Sequence, residues 1–150
     1  MAKTLRAALD QPALPQLRLA CYGRLQLDSD QLGQALDEAP PQGSREAQAA
    51  YTRLRRTGRL LDRIGWTDSD ESRQVTLDSA ACIELAATVL RDVLGMERSV
   101  RVTALAEGAA AQADRALARE QAVHEALKTL QSATAEIDSS SAQAGTQRAA

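Results

Sequence analysis

Ala104-Leu105-Ala106-Glu107-Gly108-Ala109-Ala110-Ala111-Gln112-Ala113-Asp114-Arg115-Ala116-Leu117-Ala118-Arg119-Glu120-Gln121-Ala122-Val123-His124-Glu125-Ala126 decides the fold. Ten of its 23 residues are alanine, and no proline interrupts the longer stretch 96–137. Alanine has the best helix propensity, so helix is the only plausible state here. Leu105, Ala109, Ala116, Val123, Leu127, Leu130 and Ile137 fall within about 80° of one another, a narrow apolar seam of the coiled-coil kind. As one helix the 42 residues would span about 63 Å, whereas a compact chain of this length is about 40 Å wide. The helix must therefore break, most naturally at Gly108, and fold back as a hairpin, or lay its seam against a second chain. Each alanine buries little area, so an isolated hairpin would be marginal. Self-association through the seam, or a dedicated partner, is the expectation.

The segment before it is a second strong helix. Asp78 or Ser79 opens it, and Cys82, Ala86, Val89 and Val93 form one stripe beside Ile83, Leu90 and Leu94, a face wide enough for burial. Gly95 either ends this helix or is tolerated within it at a cost of about 1 kcal/mol.

Further back, Ser44 is placed to cap a helix running to Ile64, with Gly65 as its closing residue. Ala47, Ala50, Tyr51, Leu54, Leu61 and Ile64 point one way, and Arg45, Arg55, Arg56, Arg59 and Arg63 the other. The first forty residues are ambiguous between helix and strand. Leu14, Leu17, Cys21 and Leu25 fit a helix face, and Asp28 with Gln31, flanked by Leu27 and Leu32, predicts a fresh start with a capping box for a short helix over 29–38. Pro40-Pro41 ends it. The tail 138–150 has too little apolar surface to offset its ordering entropy and is expected to be disordered.

The sequence thus predicts an all-α helical bundle: a compact helical portion over 1–95, an alanine-rich helical arm or hairpin over 96–137, and the tail. Composition agrees. Of the 150 residues 30 are alanine, 3 are aromatic and none is phenylalanine, which argues against base-stacking platforms and aromatic cages. With 18 basic and 20 acidic residues the net charge is −2, unlike a chain built wholesale to coat nucleic acid or anionic lipid. The absence of a signal-peptide pattern and of an apolar run of membrane-spanning length makes the cytoplasm the expected location, with no membrane partner.

Chemistry has few footholds. The two cysteines, Cys21 and Cys82, form no C-x-x-C pair and are expected to be buried thiols. His124 is the single histidine, which supplies neither a triad nor a two-histidine metal site by itself. Asp68-Ser69-Asp70-Glu71-Ser72 lacks the glycine and the twelfth-position glutamate of a calcium loop and is expected to be a solvated turn. Trp66 is expected to plug the end of the bundle, its indole N–H on a helix-end carbonyl. No phosphate loop, nucleophile elbow or zinc motif occurs, so no cofactor and no metal are expected.

The strongest candidate is the arginine stripe Arg45, Arg55, Arg56, Arg59 and Arg63, because guanidinium groups pair bidentately with carboxylate or phosphate. The function expected is a non-enzymatic interaction or assembly module. It would oligomerise with itself through Leu105, Ala109, Ala116, Val123, Leu127, Leu130 and Ile137, or dock an acidic protein partner on the arginines. The alternatives are a small dimeric nucleic-acid-binding regulator using the same arginines, and a small helical enzyme without metal or nucleotide cofactor.

Overall fold

The computed structural model describes residues 7–9, 13–38, 40–66 and 75–149, with side chains through Ala133. In chain order it comprises β1 (Ala7–Leu9), α1 (Leu14–Asp37), α2 (Gln42–Ile64), β2 (Val75–Leu77), α3 (Ala80–Ala106) and α4 (Ala110–Ala149). Four helices form an all-α bundle, and the two short strands make an antiparallel ribbon with Ala7 opposite Leu77 and Leu9 opposite Val75.

The helices pair as two hairpins, α1 with α2 and α3 with α4. The second hairpin turns where glycine allows it. Gly108 has φ of 74°, its N–H bonds to the Leu105 carbonyl at 3.2 Å, and the Ala109 N–H reaches back to the Ala104 carbonyl at 2.8 Å. This pair of bonds is a Schellman closure, which satisfies carbonyls that a helix end would leave orphaned. At the first hairpin Gly43 is indispensable for a different reason: a Cβ there would lie 2.6 Å from the Glu38 carbonyl oxygen and 2.7 Å from that of Ala35. Its missing side chain lets α2 start directly against the end of α1.

Both hairpins meet in one core at the ribbon end. Leu14, Leu17 and Cys21 of α1 and Leu60, Leu61 and Ile64 of α2 pack with Ile83, Ala86, Val89 and Leu90 of α3 and Val123, Leu127 and Leu130 of α4. The ribbon closes that end with Ala7, Leu9 and Leu77. Away from it the cores thin to small residues. Ala35, Gly43 and Ala50 are buried in the first hairpin, and Ala104, Ala113 and Ala116 in the second.

Several expectations change. α1 is continuous through residue 28, so Asp28 caps no second helix; it is buried in mid-helix, and Arg53 of α2 pairs with it at 3.0 Å. Leu27 is 58% exposed and staples nothing. α2 begins at Gln42, and Ser44 makes no capping bond, whereas Gly65 does close it with positive φ and its N–H on Leu61 at 2.8 Å. α3 starts as expected, with the Ser79 hydroxyl accepting from the Cys82 N–H, but runs through Gly95 to Ala106. α4 extends to Ala149, across the stretch for which composition predicts disorder.

Candidate functional site

The seam of α4 is covered by its own chain. Ala116 and Val123 are fully buried, Leu127 is 4% exposed and Leu130 fully buried, the last three within the common core. Leu105 is 58% exposed, Ala109 is half-buried, and the Ile137 side chain lies outside the described residues. Of the two alternatives, fold-back at Gly108 or cover by a second chain, the structure takes the first, and the leaning toward the second is corrected for the buried part of the seam. Folding back at Gly108 brings α3, with its valines and leucines, against the seam, and the wider face of α3 supplies the apolar area that the alanines lack.

Arg45, Arg55, Arg56, Arg59 and Arg63 are all exposed on α2. At 100° per residue they occupy an arc of about 100° and span about 27 Å along the helix. Only Gln48 and Thr52 share the gap in that row, so the stripe carries no carboxylate. Among the described residues none of the five forms an ion pair. Arg55 instead lies over the exposed ring of Tyr51, 5.9 Å from its centroid. The near face of α2 does have a carboxylate partner, through Arg53, which holds Asp28 and donates to Gln31 at 2.8 Å. The geometry of the stripe allows it to bind an extended array of anionic groups; it contains neither a base nor a nucleophile.

The remaining candidates are structural. Cys21 and Cys82 are buried free thiols, and burial pushes the Cys21 thiol up to about 11, far from the reactive thiolate. His124 is exposed on α4, beside a shallow hollow with Leu117 and Glu120. Trp66 is 42% exposed and is not a plug. Its indole donates to the Asp62 carboxylate at 2.7 Å, one turn back, and its ring leans on Tyr22 with centroids 6.3 Å apart. The acidic segment 68–72 lies outside the described residues. No cluster of metal-binding side chains occurs among the described residues, and none of their helices is long and apolar enough to cross a membrane.

Two carboxylate sites appear that sequence reasoning missed. Glu120, on α4, accepts from Arg101 at 2.8 Å and Arg98 at 3.0 Å, and these bonds, Arg101 first, hold its carboxyl below the ordinary glutamate range. Glu38 faces Glu46 across the first hairpin turn, and the closeness of the two carboxyls, which favours a proton held between them and sets their charges in repulsion, raises the Glu38 carboxyl above that range. Both glutamates of that pair are exposed, so they form no sheltered acid–base dyad.

A third feature was also missed: an apolar groove of about 430 Å³ between α1 and α3. Leu19 and Leu27 rise on one side and Met96 on the other, while Ala20, Gly23 and Val93 line its bed. The available signal was Leu19 and Leu27, which fall off the face formed by Leu14, Leu17, Cys21 and Leu25. No family model, curated protein or solved structure matches this chain, so its function must be argued from these surfaces.

Proposed function

We propose that the protein is a non-enzymatic docking module that engages an acidic protein partner through Arg45, Arg55, Arg56, Arg59 and Arg63. One observation carries this: five exposed guanidinium groups on one helix face, without a carboxylate among the described residues to meet them. Like charges three and four residues apart on a helix are unfavourable by about 0.2–0.5 kcal/mol per pair. A carboxylate-bearing partner would turn that repulsion into charge-assisted hydrogen bonds. The rigid helix keeps the groups in register, which limits the ordering entropy of binding.

A protein partner fits better than nucleic acid, because the stripe offers a single exposed ring, Tyr51, and that ring is already occupied by Arg55. The test is fluorescence anisotropy of labelled polyglutamate and of duplex DNA against the protein, over a salt series, for the wild type and the double variant Arg56→Glu/Arg59→Glu. Saturable polyglutamate binding that the double variant abolishes is expected. Absence of binding, or binding indifferent to the charge reversal, overturns the proposal. Tighter binding to DNA with a steep salt slope replaces it with the nucleic-acid alternative.

A further inference from the structure

The α1–α3 groove is independent of the arginine stripe. Leu19 is 70% exposed, Leu27 58%, Met96 67% and Val100 47%. On α1, Leu19, Gly23 and Leu27 succeed one another at four-residue steps, and on α3, Val89, Val93, Met96 and Val100 do the same at threes and fours, so each set shares a helix face. Together the four exposed side chains form one apolar patch on the α1–α3 face, the kind of surface that marks an interaction site on a monomer.

From this face we infer that two copies of the chain associate, each laying its α1–α3 groove on the other about a two-fold axis. Three observations argue for a second copy. The first is area. A standard interface takes about 800 Å² from each partner, about 65% of it apolar in a homodimer, and four side chains this exposed with a polar rim around them make a face of that composition.

The second is charge. At the rim Arg24 and Asp92 pair with each other at 2.8 Å, leaving little net charge to repel an identical surface. The arginine face of α2 would repel its own copy; this face does not.

The third is shape. An isologous contact requires one surface to carry both the knob and its hole. Leu19, Leu27 and Met96 are the knobs, and the groove bed at Gly23 is the hole, since a Cβ built there meets nothing within 4 Å. A groove of about 430 Å³ has room for a leucine-sized or methionine-sized side chain from the partner.

Light scattering after size exclusion, across a micromolar to millimolar concentration series, tests the inference. The wild type is expected to rise from 16.0 kDa toward twice that mass. Gly23→Trp fills the hole from a position where a Cβ meets nothing within 4 Å, and Met96→Glu charges a knob that is already two-thirds solvated. Both are expected to keep their helical circular dichroism and to stay monomeric throughout. Leu36→Glu, on the opposite face of α1, is expected to dimerise like the wild type. A wild type that remains monomeric at every concentration overturns the inference, including when its groove instead takes up an apolar dye. A dimer that survives both groove substitutions overturns it equally.

Discussion

The two hairpins share a length scale and an alanine-lined interior but handle charge in opposite ways. In α3–α4 Glu120 gathers Arg98 and Arg101, and Arg119 bonds both oxygens of Glu97 at 3.0 Å. These carboxylates are largely covered, with side-chain exposures of 11% for Glu120 and 16% for Glu97. In α1–α2 the corresponding crosslink is Arg53 with Asp28, and the arginines on the outer face of α2 stay unmet among the described residues. The second hairpin uses its charge internally to hold together a core too small to do so alone. The first faces its charge outward, and the docking proposed for α2 rests on that difference.

The comparison rests on a common core at the ribbon end, and the largest effect should come from breaking that. Leu130→Ala removes a fully buried side chain and should lose about 2–5 kcal/mol in urea unfolding. A loss below 1 kcal/mol would mean that the two hairpins are stable separately. Next is the close contact at the first turn. Gly43→Ala should destabilise by about 1–3 kcal/mol although alanine is the better helix former, because its Cβ collides with the backbone of α1. A neutral or stabilising result would show that the turn can open.

The two glutamate sites should respond to acid with opposite sign. Glu120 is held below its ordinary value of 4.5, so its contribution to stability is present above that pH and is lost as pH falls through the lower folded value. Glu38 is raised, so its contribution is present at low pH and is lost as pH rises through the raised value. Carboxyl-carbon NMR titration should find Glu120 titrating below Glu38; the reverse order would contradict both the arginine contacts of Glu120 and the pairing of Glu38 with Glu46.

The smallest effect separates the two uses of arginine most directly. Arg59→Gln relieves repulsion from Arg55, Arg56 and Arg63 and should stabilise the protein by a few tenths of a kcal/mol at low salt. Arg119→Gln should destabilise it, since Glu97 is left covered and unpaired. Thermal melts of the two variants with the same sign would abolish the distinction between the hairpins.

Much of this was legible locally. Gly65 and Gly108 mark real helix ends because glycine adopts positive φ without strain, and the apolar stripe of α3 falls on its buried face, with Leu94 half-buried and Ala87 and Ala104 added to it. Asp28 misled for a reason of the same kind. A short acidic residue followed three positions later by glutamine has the pattern of a helix start, but Arg53 from α2 gives that carboxylate a tertiary partner, and the helix continues through it. At Gly95 the second of the two readings holds: the glycine is tolerated inside α3, whose flanking turns pack on α4 and outweigh a penalty of about 1 kcal/mol. The α1–α3 groove had only half a local sign, Leu19 and Leu27 lying off the buried face of α1, because its other wall comes from a helix more than sixty residues away in sequence.

By itself, then, the sequence determined that the chain is helical, where two of its helices stop, and that one face of α2 is lined with arginine, because propensity, glycine backbone freedom and periodicity are properties of neighbouring residues. Tertiary structure alone decided that the alanine seam is filled by α3, that Glu120 and Asp28 have cationic partners, and that Leu19, Leu27 and Met96 gather around one groove between α1 and α3. Those outcomes depend on which helices come together. The free energy that selects the pairing is summed over apolar area and ion pairs drawn from distant parts of the chain, which no local pattern records.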